Sequence, residues 1–246
     1  MRNVVCAALV LAGCSGGPPA TGPNDDEIPG AGPRTGEERA KDGGFDSTPS
    51  PESGLGVLSF SPEEAYSGHD GVHAFEVPIA VYDAAGDLKV TPDDPSAVTI
   101  TPVKLAKPLR EDGTYDNGTY FMVSLRKAGT VTLVAESQGK TAQAKITATS
   151  YTPAQWTAGE TRYTTEGGNG DAPCTQCHAG SSGIDHSPAS MASATDEALA
   201  AVITTGISTA GFPIQEPTKN HRWTVTDDER AALVTYLRGL SPRGFE

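Results

Sequence analysis

A multidomain chain, an all-β sandwich followed by a small all-α domain, is the fold class this sequence predicts. Three observations carry that expectation. Alternating apolar residues recur in short runs between about 54 and 150, helical periodicity takes over from 151, and the first 53 residues carry no pattern that builds a core. The 246 residues exceed one usual domain, so two compact units are expected.

The N-terminus reads as a leader. Arg2 precedes the apolar run 4–12, which is too short to span a bilayer and has the build of a signal peptide, assigned to 1–13. From 14 to 53 the chain is Gly, Pro, Ser, Thr and acidic residues with almost no large apolar side chain. Such a segment cannot bury enough surface to offset its ordering and is expected to be a disordered tether. Its roughly 40 residues give a reach of about 35 Å. A net charge of −13 and a pI near 4.7 make nucleic acid or an anionic lipid surface an unsuitable partner.

In the segment 54–150, Phe75, Val77, Ile79 and Val81 occupy every second position, as do Val131, Leu133 and Ala135, and again Ala142, Ala144, Ile146 and Ala148. Turn residues such as Asp83, Gly86, Gly129 and Gly139 separate or precede these runs, which argues short strands packed on one face. His69-Asp70-Gly71-Val72-His73 reads as a solvated turn rather than a metal loop, since no further spaced ligand accompanies it.

Beyond 151 three helices are expected. Thr152 caps one that starts at Pro153 and carries Trp156, Gly159 and Tyr163. A second covers about 196–205 and stops at Gly206. The last opens with a capping box, Thr226 and Glu229, presents Leu233, Val234 and Leu237, and ends by Gly239. A short junction around 149–153 predicts a fixed arrangement of the two units.

The chemistry lies between the first two of these helices. Cys174-Thr175-Gln176-Cys177-His178 is C-x-x-C-H, the spacing at which two thiols and an imidazole capture one haem. The same C-x-x-C could serve a redox disulfide or half of a zinc site. Yet the other cysteines are only Cys6 and Cys14, far away at the N-terminus, and no βαβ pattern surrounds Cys174. One covalent haem c is therefore the expected cofactor, with His178 as the proximal iron ligand.

The second axial ligand is more open. His221, a few residues before the last helix, is the leading candidate, with Met191 and His186 as alternatives; Tyr163, Phe212 and Trp223 are the aromatic residues expected to pack on the haem. A carbonyl near Pro188 could orient His178 through its other ring nitrogen. No paired carboxylates, nucleophile triad or phosphate loop suggests a second chemistry, so no catalytic residue is assigned.

Three family resemblances extend this reading. Leu11-Ala12-Gly13-Cys14 resembles the lipobox of bacterial lipoproteins. That likeness implies acylation of Cys14, a membrane tie through the lipid, and, with Ser15 following, an outer-membrane lipoprotein facing the periplasm or the cell surface. The stretches 75–83, 95–100 and 129–135 resemble bacterial Ig-like domains, which implies an Ig-like sandwich over 54–150 acting as a spacer. The order of a helix with Gly159 and Tyr163, then C-x-x-C-H, then a helix reading Ala-Leu-Val-Thr-Tyr-Leu-Arg resembles class I cytochromes c, implying a cytochrome c domain over 151–246. In that family the glycine lets the first helix cross the last, so Gly159 would meet the 234–237 face.

The function expected from these features is a membrane-anchored monohaem c-type cytochrome that passes single electrons to redox protein partners and is not an enzyme. The alternatives are a cell-surface interaction or adhesion protein with a structural or sensory haem, and a haem enzyme with an open iron position.

Overall fold

The computed structural model describes residues 56–107, 117–167, 170–178, 186–209, 211–214 and 221–246. The leader, Cys14 and the tether expected over 1–53 lie outside the described residues. Eight strands come first: β1 (Ser59–Ser61), β2 (Glu64–His69), β3 (Glu76–Tyr82), β4 (Lys89–Pro92), β5 (Val98–Val103), β6 (Thr119–Leu125), β7 (Gly129–Ser137) and β8 (Lys140–Ser150). They form two four-stranded sheets, ordered β1-β3-β6-β5 and β2-β8-β7-β4.

All pairings are antiparallel except β2 with β8, which run parallel with Ala65 opposite Ile146. The β7–β8 hairpin turns through Gln138 (φ 49°) and Gly139 (φ 74°), a left-handed pair that matches the twist of the flanking strands. Its alternation sends Val131, Leu133 and Ala135 inward, where they meet Ala144 and Ile146 of β8 and Val77, Ile79 and Val123 of the other sheet in one apolar cluster. Burying each of the larger members contributes about 1.5–3 kcal/mol.

Five helices follow: α1 (Pro153–Thr164), α2 (Thr175–His178), α3 (Pro188–Met191), α4 (Asp196–Thr205) and α5 (Asp227–Arg238). Local chemistry sets their ends. Thr152 and Gln155 form a capping box at α1, as do Thr226 and Glu229 at α5, and α4 stops at Gly206 in the left-handed conformation (φ 67°). None of them is long and apolar enough to cross a membrane, among the described residues.

The expected fold class is corrected here. The described chain is mostly β-sheet, eight strands in two sheets with a few short helices, and residues 151–246 do not form a clear small all-α cytochrome c domain beside an Ig-like one. The physical reason is that the helical segments share their packing with the sheets. Tyr151, Trp156 and Ala192 belong to the apolar cluster of the sheets, although Tyr163, Leu199, Leu233, Val234 and Leu237 form a second cluster among the helices. β3 is buried at six successive positions rather than alternately, because the α3 turn packs against it.

Backbone bonds tie the two parts further. Tyr66 N–H of β2 donates to the Ala192 carbonyl at 2.7 Å, and Tyr151 N–H donates to His69 at 2.9 Å. The C-terminus returns to the β5 side, where Lys104 and Glu246 exchange N–H···O bonds of 2.8 and 2.9 Å. Side chains complete the docking. The His73 ring, held by Asp70 at 2.6 Å, stacks on Trp156 with centroids 3.9 Å apart, and the buried guanidinium of Arg238 reaches the Tyr66 carbonyl at 3.1 Å.

Candidate functional site

The C-x-x-C-H stretch folds as a single helical turn. His178 N–H donates to the Cys174 carbonyl at 3.0 Å and Cys177 N–H to the same oxygen at 3.2 Å. Residues four apart share a face of such a turn, so Cys174 and His178 line one cavity while Cys177 is exposed. Neither cysteine is in a disulfide. Burial pushes the Cys174 thiol up to about 11, against the opposing field of Arg162. Unaided, it stays protonated near neutrality.

His221 arrives from the other side through a pinned run. Trp223 N–H donates to Ile203 of α4, its indole Nε1 to the Ala172 carbonyl at 3.0 Å, and Thr224 N–H to the Asp171 carboxylate at 2.9 Å. The run is thereby held between the end of α4 and the residues just before Cys174. Gly206 is required at that point twice over. Its φ of 67° suits glycine, and a Cβ there would collide with the His221 carbonyl.

Three imidazoles converge in consequence. The His178 and His221 ring centres are 6.1 Å apart with planes at 88°, and His221 also packs edge-on to Trp223 at 4.4 Å. His186 lies flat on His178, 3.6 Å between centres and 26° between planes, and its Nδ1 is 3.2 Å from the Tyr163 hydroxyl. Burial chiefly, with His178, His221 and Arg243 adding to it, pushes His186 down to about 3, so it is neutral in ordinary conditions.

The cavity among these groups is lined by Tyr163, Cys174, His178, His186, His221 and Trp223, with Ile203, Leu233 and Leu237 as apolar wall. The sequence-predicted residues divide accordingly. Tyr163, Cys174, His178, His221 and Trp223 are brought together, with the alternative ligand His186. Cys177 is on the same turn but faces outward. Met191 is buried in the helical apolar cluster and does not line the cavity. Phe212 is exposed, on a tight turn closed by Ser208 N–H to its carbonyl at 2.8 Å. The Pro188 carbonyl is taken by Ala192 N–H in the α3 turn.

The donor set fits a covalent haem. Two thiols and an imidazole come from one helical turn, Cys177 on its exposed side, and a second imidazole lines the same cavity as His178. His178 and His221 are the two imidazoles that would hold the iron, their ring centres 6.1 Å apart. The face-to-face His186 cannot share an axis with His178 in this arrangement. Among the described residues no three His, Cys, Asp or Glu side chains are placed to hold a bare metal ion. The enclosed volume is about 30 Å³, about one water's worth, so a macrocycle enters only if His186 leaves His178 and the Tyr163 and Trp223 rings part.

Sequence reasoning missed the flat stack of His186 on His178 and the Tyr163 hydroxyl bond to it. A His eight residues beyond the motif was in view, but no local pattern announces a stacking partner.

No protein-family model and no curated protein matches the chain. Among solved structures it is similar to surface layer protein SbsC, domains 1–6, at 13% identity and a TM-score of 0.29, over 39% of this chain and 13% of that one. It is also similar to the S-layer protein rSbsC(31-844), at 13% identity and a TM-score of 0.26, over 37% and 12% of the two chains. The endo-fucoidan hydrolase MfFcnA4_H294Q from glycoside hydrolase family 107 aligns at 18% identity and a TM-score of 0.27, over 40% and 14%. The matched part is thus a small fraction of each of those proteins.

Proposed function

We propose that this chain is a monohaem c-type electron carrier, with the haem bound covalently to Cys174 and Cys177 and held by His178 and His221. The observation that carries the reading is the C-x-x-C-H turn set 6.1 Å, ring centre to ring centre, from a second imidazole on an apolar-walled cavity. Bound haem would supply a one-electron couple, and paired imidazoles give it a lower potential than a thioether ligand does.

The chain's own residues do the rest. The α2 turn presents the thiols and His178 in a fixed order, and the bonds from Trp223 and Thr224 to residues 171–172 hold His221 in place. Ile203, Leu233 and Leu237 keep water from the site. The β-sheets carry the helices and present them to redox protein partners, and Cys14, acylated, would anchor the protein to the outer membrane.

The test is the full chain made with haem-maturation machinery. Wild type should keep its haem on a denaturing gel, and the double variant Cys174→Ser, Cys177→Ser should lose it. The reduced spectrum should be low-spin and indifferent to carbon monoxide, and His221→Ala should make it responsive. Absence of retained haem in wild type sinks the reading. A wild-type spectrum that shifts with carbon monoxide replaces the carrier with a haem enzyme that has an open iron position.

A further inference from the structure

One continuous series of rings runs from the sheets to the candidate site. His73 stacks on Trp156 at 3.9 Å, Trp156 meets Tyr236 at 5.1 Å, and Tyr236 meets Tyr163 at 5.2 Å. Tyr163 then meets His186 at 5.9 Å, which lies on His178 at 3.6 Å. The outer end is at the surface, where Val72, next to His73, is 69% exposed.

Packing alone does not call for these ring types. The Trp156 indole Nε1 is buried against Gly239 and has no hydrogen-bond partner among the described residues. An unsatisfied buried donor costs about 1–3 kcal/mol. A phenyl ring would avoid that cost, though it is smaller and gives up part of the packing. What indole and phenol have and phenyl lacks is the ability to give up one electron to a strong oxidant. Transfer between such groups falls steeply with distance, so rings in contact turn one long step into several short ones.

We infer that Trp156, Tyr236 and Tyr163 form a relay that carries one-electron oxidising equivalents between the Cys174–His178 site and the surface beside Asp70 and His73. Its inner end rests on the haem reading above; its ring-to-ring steps do not. A peroxyl-class radical that reaches the site takes an electron from Tyr163 together with the phenolic proton and leaves as the hydroperoxide. Tyr236 returns an electron to Tyr163, which regains a proton, and Trp156 restores Tyr236 in the same way. A soluble one-electron reductant of the ascorbate class restores Trp156 at the surface. One electron has then passed from reductant to oxidant and the protein is unchanged, its site spared from oxidation.

The relay is tested from its outer end in the full chain, with a bipyridyl side chain placed at Val72 and loaded with a ruthenium photo-oxidant. After flash and quench, tyrosyl radical should form and be read by transient absorption and electron paramagnetic resonance. Trp156→Phe should abolish that signal while circular dichroism stays unchanged, and Tyr163→Phe with Tyr236→Phe should abolish it with Trp156 intact. A tyrosyl signal that survives either change overturns the relay. The experiment runs with or without haem. A chain that keeps no haem therefore fails the functional reading alone, whereas loss of the tyrosyl dependence fails the relay alone.

Discussion

Arg238→Met removes the side chain that does most to fasten the helices to the sheets. Arg238 is 2% exposed. Its Nε and Nη2 both lie 2.9 Å from Asp196 Oδ1, Nη1 donates to the Tyr66 and Met191 carbonyls at 3.1 Å each, and Nη2 donates to the Ala194 carbonyl. Methionine fills much of the space and satisfies none of these acceptors. Taking one partner from a buried ion pair costs about 3–5 kcal/mol. Asp196 keeps Tyr151 and Thr149 as donors at 2.6 and 2.9 Å, and its side chain is 25% exposed, which places the cost at the lower end, about 3 kcal/mol. For a chain of this size that is a fall in Tm on the order of 10 °C. Urea unfolding followed by circular dichroism and by Trp fluorescence reads both the loss and its cooperativity. A loss below about 1 kcal/mol, the worth of an exposed pair, would refute the claim that Arg238 fastens the two parts.

Two further outcomes follow from other places in the fold. Gly159→Val puts a Cβ into the Ala232 carbonyl and 2.8 Å from the Tyr236 Cβ, so α1 must lift off α5; urea unfolding should show a loss of about 1–3 kcal/mol, and wild-type stability would mean that the helices do not cross there. Asp94 is held at about 2, below its ordinary 3.8, by the Lys127 ammonium first and then by Ser96. A carboxyl whose folded pKa is depressed adds stability above the unfolded value and loses it as pH falls through the folded one, so Asp94→Asn should flatten the acid limb of the urea midpoint between pH 3.8 and about 2. An unchanged limb would show that the pair is not formed in solution.

What was legible in the sequence was local. The Thr226 and Glu229 box, Gly206 as a stop, and the alternation through Val131 to Ala135 each depend on neighbours a few residues away, and each is found where those neighbours require it. What was not legible depends on partners far along the chain. Trp156 reads as one apolar residue on a helix, and only the fold shows that its ring lies flat on His73. Asp70 and His73 read as a turn, and nothing in the sequence near Arg238 announces that it is buried on carbonyls from β2 and α3. These contacts share a cause with the corrected fold class: helices judged by their own periodicity look self-sufficient. The site divides in the same way. Cys174 to His178 is a contiguous pattern, His221 was placed by its position before α5, and Phe212 lies exposed, away from the cavity, because a turn sets its side chain.

Helix α5 joins these consequences. One turn of it supplies Leu233 to the cavity, the next supplies Leu237, Tyr236 lies in the ring series, and Arg238 at its end grips the sheets. Side chains on one rigid helix cannot move independently over a single turn, so a shift that frees Arg238 also shifts the wall of the cavity against His178 and His221. The sheets are then more than a support. The same docking that packs residues 151–246 onto the sheets holds α5 in place, so a variant that loosens it should alter the site before it unfolds the chain.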